Sequence, residues 1–301
     1  MSKFHTRRAT PADYQSISNL SRRSVGSSDY VLSILKSTIR AGGLFISLDG
    51  RRVIGMANYQ LIADGSGWLS MARTDPDYRG KRVAGLLQES IAHYARGKGV
   101  IFLRMLINSS NTPSINSASR GGFKPVTEVA HVSCPLRPLQ PEKDKLRRTT
   151  KDEGGCARLS KLSGRETVQI SNSRYLWKMN GFFGQGWHVV KWNASSRRDV
   201  ARMIESSGEA FRCDGSTMFM LGRPPEEEGG SHGEFAILTG VFGEAIASVK
   251  DVAASSLHLR SIGTFLPFDP YLLRRARAEH GFHLDSWANH GFIFEKRITS
   301  R

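Results

Sequence analysis

The stretch TDPDYRGKRVAGLLQESIAHYA, residues 74–95, decides the reading of this chain. Pro76 marks a turn, Arg79-Gly80-Lys81-Arg82 follows, and an apolar helical pattern starts at Val83. A helix N-terminus carries N–H groups without partners and a partial positive charge. A glycine-containing turn leading into it lets those groups converge on one anion. Arg79, Lys81 and Arg82 add full positive charge, so the turn is predicted to hold a polyphosphate. Neither GxxxxGK[ST] nor GxGxxG occurs here. Spacing alone leaves a solvated basic helix start as the alternative.

Upstream, FHTRRA (4–9) reads as a short strand. Thr10, Pro11 and Asp13 then give a cap, a first helical position and a first-turn acid. A second capped helix ends on Gly42-Gly43. Three strand candidates follow, GLFISL, RVIGMANYQLIA and GWLSMART, joined by the hairpin turns Asp49-Gly50 and DGSG (64–67). Downstream come the buried-strand run GVIFLRMLI, a capped helix ending at Gly121-Gly122, and one or two strands over Lys124–Leu136. The order is β-α-α-β-β-β-α-β-α-β.

The charged, proline-bearing segment 139–165 reads as a basic polar linker. The second half then repeats the pattern: strand 235–239, helix 244–252, strand 257–265, capped helix 269–280, Gly-Phe and a final strand. Where the first copy has DPDYRGKRVAG, the second has only VFGE. The expected domains are therefore 1–138, the linker 139–165, and 166–301 without the phosphate turn.

The chain has 301 residues, enough for two domains with real cores. No apolar run reaches bilayer-spanning length, and the start lacks a signal-peptide core, so a cytoplasmic protein without a membrane partner is expected. Three cysteines, Cys134, Cys156 and Cys213, show neither metal spacing nor a disulfide framework, and reduced thiols are expected. The net charge of +16 is scattered rather than striped with aromatics, which reads as a solvated basic surface and leaves nucleic acid as a less favoured partner. His188, His232, His258, His280, His283 and His290 show no ligand spacing with acidic partners, so no metal is expected. Trp177, Trp187 and Trp192 read as packing residues.

The stretch DPDYRGKRVAGLLQ resembles the coenzyme A signature of the GNAT superfamily of N-acyltransferases, R/Q-x-x-G-x-G/A after a strand. Arg79 and Ala84 match, and Arg82 stands where the middle glycine is usual. NTPSINSASRGGF (111–123) resembles the family's later N-x-x-S/A…G-F helix. The resemblance covers the first half and implies an α/β (α+β) GNAT fold: a mixed, mostly antiparallel sheet flanked by helices, here in tandem with a degenerate second copy. It implies that Arg79, Gly80, Lys81, Arg82, Val83, Ala84 and Gly85 bind the pyrophosphate of acetyl-coenzyme A. It also implies that Ala72, Arg73 and Thr74 run beside the pantetheine arm, with an oxyanion donor at the Ala72 or Arg73 backbone, and that Asn111 and Ser114 face the cofactor. The tandem arrangement is also similar to the histidine N-acetyltransferase family, which pairs an active domain with a degenerate one and acetylates a free amino acid.

Two features of the family pattern are missing. GWLSMART holds no carboxylate, with Trp68 and Ser70 at the positions where a glutamate base is usual, and Ala118 stands where a tyrosine acid is usual. His131, Tyr59 and Ser119 are the candidate replacements, together with Glu128, and His131 is preferred because imidazole titrates in the right range. A lysine amine lies about 2.5 pKa units above an α-amine, so freeing its base costs roughly 3.5 kcal/mol more. A site without a strong base therefore suits an α-amine better. The expected function is acetyl transfer to a small primary amine. A protein or peptide N-acetyltransferase, and a non-catalytic coenzyme A-sensing or nucleic-acid-associated module, are the alternatives. Neither acceptor nor oligomeric state is legible.

Overall fold

The computed structural model describes residues 4–136, 156–159, 161–207, 210–213, 217–222, 232–255 and 259–298. The chain divides into two compact units, Met1–Val126 with Ile293–Arg301, and Thr127–Phe292.

The first unit contains β1 (His5–Arg8), α1 (Tyr14–Ser24), α2 (Val31–Ala41), β2 (Leu44–Asp49), β3 (Arg52–Leu61), β4 (Gly67–Thr74), α3 (Val83–Arg96), β5 (Phe102–Asn108) and α4 (Thr112–Arg120). Strands β1 to β4 form an antiparallel meander, and β5 lies parallel to β4. Helix α2 buries Val31, Leu35 and Ile39, a four-residue repeat that gives one apolar face. That face and Ile17 and Leu20 of α1 pack on Leu44, Ile46, Val53 and Met56. Each such side chain, fully buried, contributes about 1.5–3 kcal/mol. Helix α3 buries Val83, Leu87, Ile91 and Ala95 along one stripe. Gly55 lets its first turn sit down on β3, because a Cβ there would lie 2.5 Å from Val83 Cγ1.

The second unit is built on β6 (Lys124–Pro135), most of which lies in it, with β7 (Cys156–Arg158), α5 (Gly164–Ser171), α6 (Arg174–Lys178), β8 (Phe182–Gln185), β9 (His188–Lys191), α7 (Arg197–Ser207), β10 (Ala210–Cys213), β11 (Thr217–Gly222), β12 (His232–Thr239), α8 (Phe242–Ser255), β13 (Ser261–Pro267), α9 (Pro270–His280) and β14 (His283–Leu284). Its sheet runs β6-β13-β12-β11-β10-β7, and β12 is parallel to β13. Phe235, Ile237, Ile262 and Leu266 pack on one face against Ile246 and Val249 of α8. The last strand, β15 (Gly291–Arg297), contributes Ile293–Arg297 to the first unit, beside β5.

The β-α-α-β-β-β-α-β-α-β order of the first half is observed, as is the strand-helix-strand-helix-strand order at the end. The boundaries differ from the sequence reading. The strand after α4 completes the sheet of the second unit, and the final strand of the chain completes that of the first. A run of alternating apolar residues carries no mark of which sheet it will join. Residues 139–155 and 160 of the expected linker lie outside the described residues, but in 156–159 and 161–165 Leu159 and Leu162 are buried, and Ser163 with Glu166 forms a capping box for α5. The expectation of three reduced thiols is corrected, since Cys156 and Cys213 form a disulfide across the β7–β10 pair with Cα atoms 4.2 Å apart, while Cys134 is free and buried. Of the tryptophans read as packing residues, Trp192 is buried, whereas Trp177 is 82% exposed and Trp187 partly exposed. Among the described residues no helix is long and apolar enough to cross a membrane.

Candidate active site

Strands β4 and β5 pair only at Gly67–Leu103 and Trp68–Arg104, and then part. The parting follows a bulge. Met56 faces Arg73 while Asn58 faces Ser70, so β4 carries an extra residue, and Met71 takes a left-handed conformation at φ 56°. Its side chain is the reason such a conformation is held: it is buried in the cluster between α1, α2 and the sheet. Arg73 pins the far side of the bulge. Its guanidinium bonds both oxygens of buried Asp29, at 2.9 and 2.6 Å, and Asp29 also accepts from the Ser21 hydroxyl at 2.5 Å. The strand end Ala72–Thr74 thus borders an open V-shaped gap, although the Arg73 side chain is committed to Asp29.

The turn that follows is fixed at both ends. The Asp75 side chain is fully buried, accepts from the Asp77 N–H at 3.2 Å, and pairs with Arg23 and Arg52 at 2.7 and 2.9 Å. Burial pushes its carboxyl up, but Arg52 and Arg23 outweigh that and hold it below the usual carboxylate range. The Tyr78 hydroxyl donates to Asp49 at 2.8 Å, and the Lys81 ammonium lies 4.8 Å from the Tyr78 ring centre. Gly80 (φ 77°) and Arg82 (φ 61°, ψ 17°) are both left-handed, and α3 begins at the next residue. The departure from the resemblance is therefore one of residue type and not of backbone: Arg82 holds the conformation for which a glycine is usual. Arg79, Gly80, Lys81 and Arg82 are exposed. The first-turn N–H groups of Val83, Ala84 and Gly85 have no acceptor within the helix. A Cβ on Gly80 or Gly85 would meet nothing within 4 Å, so the space over the turn is open. The arrangement combines directed amides, a helix positive end and three cations, which is the chemistry of a pyrophosphate cradle.

The remaining site residues are dispersed. Asn111 caps α4 by accepting from the Ser114 N–H at 3.2 Å, which commits its carboxamide oxygen. Ser114 is half-buried, Ser119 is exposed on α4, and Ala118 is fully buried, so the position of the usual tyrosine is closed by packing. Tyr59 is buried edge-on against Tyr94, ring centres 5.6 Å apart, and its hydroxyl has no partner among the described residues. Burial, and less so Tyr94, pushes its hydroxyl up. Tyr94 lies about 16 Å along α3 from Val83. Tyr59 belongs to the packing under α3.

His131, preferred as a base from sequence, belongs to the second unit and sits in a different setting. Its Nδ1 is 2.6 Å from Asp285 and its Nε2 3.0 Å from Glu234. Burial pushes it down, but the bonds to Asp285 and Glu234 outweigh that and raise it to about 9. A histidine kept charged by two carboxylates does not accept a proton at neutral pH. The network continues through His232, 2.7 Å from Glu234, and through Ser133, which bonds Asp285 at 2.9 Å and His283 at 3.1 Å. Gly263 makes the room, because a Cβ there would come within 2.8 Å of the His131 ring. Of the histidines read as lacking metal-ligand spacing, His232, His280, His283 and His290 do lie beside a carboxylate, the last 2.9 Å from Glu128. The overlooked signal is the i,i+2 spacing of His232 with Glu234 and of His283 with Asp285, which on extended chain puts both side chains on one face.

In the second unit the chain passes from β12 to α8 through Gly240 and Val241 alone, where the first unit spends residues 75–82.

Residues 15–123 match the profile described as the Acetyltransferase (GNAT) family. No curated protein matches the chain by sequence. Among solved structures the chain is similar to a GCN5-related N-acetyltransferase from Sphaerobacter thermophilus, with 13% identity, a TM-score of 0.59, and coverage of 100% of this chain and 97% of that one. It is also similar to a tandem GNAT protein from the clavulanic acid biosynthesis pathway, with 12% identity, a TM-score of 0.52 and coverage of 99% of each chain. A GCN5-related glucosamine N-acetyltransferase region of a fungal multi-domain β-N-acetylglucosaminidase aligns at 12% identity and a TM-score of 0.58, over 97% of this chain and 38% of that one. At these identities the likeness is one of fold. The chain therefore has the GNAT fold in tandem, and its residues 15–123 carry the acetyltransferase family match.

Proposed function

We propose that the protein is an acyl-coenzyme A-dependent N-acyltransferase that moves an acetyl group from acetyl-coenzyme A to the primary amine of a small molecule, of which the α-amine of a free amino acid is the preferred class. The observation that carries this reading is the open basic turn Arg79–Gly85 over the N-terminus of α3, next to the gap where β4 leaves β5. The diphosphate lies on the turn, bound by the amides of 82–85 and by Arg79, Lys81 and Arg82. The pantetheine arm follows the β4 edge at Ala72–Thr74, where main-chain N–H groups meet the thioester carbonyl. That carbonyl becomes an oxyanion when the amine adds, and fixed donors stabilise it more than they stabilise the ground state. Ser70 and Trp68 on β4 and buried Ala118 on α4 offer neither a strong base nor an acid. An acceptor that is partly neutral near pH 7 fits such a site.

The second unit binds no coenzyme A in this reading, because Gly240-Val241 is too short to form the cradle. Calorimetry with coenzyme A should give one site per chain. Thiol release from acetyl-coenzyme A should be stimulated by free amino acids, polyamines or short peptides. Two sites would refute the single-cradle reading, and no stimulated release by any amine would refute the transferase.

A further inference from the structure

Alternation along β4 turns one amide of the bulge toward the gap. The Asp75 N–H donates to the Ile54 carbonyl of β3 at 2.9 Å, and Arg73 stands opposite Met56 of β3. Main-chain groups of a strand point alternately to its two edges. Those of Ala72 and Thr74 therefore turn to the other edge, which β5 has left. Met71 and Ala72 together stand opposite Ala57, so neither has a register partner on β3. Ala72 is exposed, between Met71, which is anchored in the core, and Arg73. One nitrogen of the Arg73 guanidinium donates to the Ala72 carbonyl at 3.0 Å, while the other two are held by Asp29 at 2.9 and 2.6 Å. Asp29 lies in the connection between α1 and α2, and its side chain is 1% exposed. Its carboxylate also accepts from the Ser21 hydroxyl of α1 at 2.5 Å and from the Val31 N–H at the start of α2 at 3.3 Å. Burial pushes the carboxyl up, but Arg73 and then Ser21 outweigh it, so the pair stays ionised near neutral pH.

We propose that Asp29 is a positioning residue for acyl transfer: through Arg73 it holds the Ala72 peptide of the β4 bulge, whose N–H is the donor that meets the thioester oxygen. This rests on the transferase reading above and names the contacts that keep its donor in place. A donor stabilises an oxyanion most when it is already fixed in place as the charge develops, and one that must reorganise loses that advantage. A bulge has no ladder to hold it, so its direction depends on side-chain anchors. Met71 supplies one from the core. The Asp29–Arg73 pair supplies the other, a guanidinium fork against a carboxylate. Buried Asp29 does not itself touch substrate.

The test compares wild type, Asp29→Asn, Arg73→Lys and the double variant, with Asp13→Asn as a control. Asp13 pairs with Arg7 at 2.7 Å, an ion pair of the same kind that involves no residue of β4. Arg73→Lys keeps the charge and loses the fork, and it carries the test if Asp29→Asn does not fold. Thermal melts fix a temperature at which every variant is folded, and thiol release is measured there. Expected for Asp29→Asn and Arg73→Lys is a fall in kcat of about tenfold or more, with KM for acetyl-coenzyme A within about twofold of wild type. Asp13→Asn should lower the melting temperature and leave kcat unchanged. Because Asp29 acts through Arg73, the double variant should fall no further than Arg73→Lys alone. Losses that multiply in the double variant, or a kcat that holds in the single variants, overturn the proposal. Amide hydrogen exchange in the ligand-free protein reads the same contact without turnover. Residues 69–75 should exchange faster in Asp29→Asn and Arg73→Lys and at the wild-type rate in Asp13→Asn; exchange that stays at the wild-type rate in the first two overturns the proposal. Failure of the transferase reading is distinct: wild type then releases no thiol with any amine, while hydrogen exchange still reports whether Asp29 holds the bulge.

Discussion

His131 Nδ1 stands 2.6 Å from Asp285 Oδ2, and the opposite nitrogen of the same ring is held by Glu234. The pair makes a buried imidazole into a permanent cation near neutral pH and removes it from the list of bases. It also makes the second unit sensitive to pH in a direction that can be stated.

The folded His131 is raised to about 9 from an ordinary 6.5. Its contribution to stability is complete below pH 6.5 and is lost as pH rises through 9. The shift corresponds to a term on the order of 3 kcal/mol. Glu234 and Asp285 have the opposite sign: burial pushes each up, His131 outweighs it, and the net lowering means their contribution is lost as pH falls through their depressed values. Thermal denaturation between pH 5 and 10 should show a plateau below pH 6.5, a decline as pH rises from 6.5 through 9, and a second level above it. In His131→Phe the alkaline decline should vanish, at a cost of roughly 3–5 kcal/mol at pH 7, because Glu234 and Asp285 lose their shared cation and keep only His232 and Ser133. An alkaline limb that persists in this variant would refute the assignment.

Arg82 is a non-glycine residue at φ 61°. Arg82→Gly relieves a left-handed penalty of about 1–2 kcal/mol and adds back a chain-entropy cost of about 0.5–1 kcal/mol. The melting temperature should stay level or rise slightly, while coenzyme A affinity falls severalfold with the lost charge. Replacing Gly80 and Arg82 together by Glu should abolish binding. Calorimetry and a thermal melt on the same samples separate the two effects.

Asp75 holds the turn from inside, against Arg23 and Arg52, whose side chains are nearly half exposed. Solvent screens the two cations, so Asp75→Ala should cost about 1–3 kcal/mol, less than a fully buried pair would. The turn also loses the acceptor for the Asp77 N–H, and coenzyme A binding should weaken more than stability predicts. Affinity that stays at the wild-type value would mean that Asp75 does not position the turn.

The Cys156–Cys213 bond closes a loop with a sequence separation of 57. Chain entropy alone assigns such a loop roughly 4 kcal/mol. Alkylation of the denatured, non-reduced protein should modify only Cys134, and prior reduction should expose three thiols. Three modified cysteines without reductant would exclude the bond.

Much of the first unit was legible because its signals are local. Thr10, Pro11 and Asp13 set a helix start through neighbouring groups, and the four-residue stripe of α3 needs only one apolar face to bury. The basic turn was legible for the same reason, since Gly80, the three cations and the helix start lie within a few residues. The bulge at Met71 was not, because no glycine marks it: a methionine is forced left-handed by the core that its side chain enters. The α5 capping box, Ser163 with Glu166, was a local signal, and it was overlooked inside a charged stretch.

Sequence by itself determined the element order of the first half, the basic glycine turn before α3 and its absence before α8, because each depends on residues adjacent in the chain. Tertiary structure alone decided the partners: which sheet takes β6 and which takes β15, that Cys156 meets Cys213, that Glu234 and Asp285 close on His131, and that Glu295 reaches Arg104. Those pairs are separated by 57 to 191 residues. Their approach is set by strand pairing and burial across the whole chain, and no local pattern encodes it.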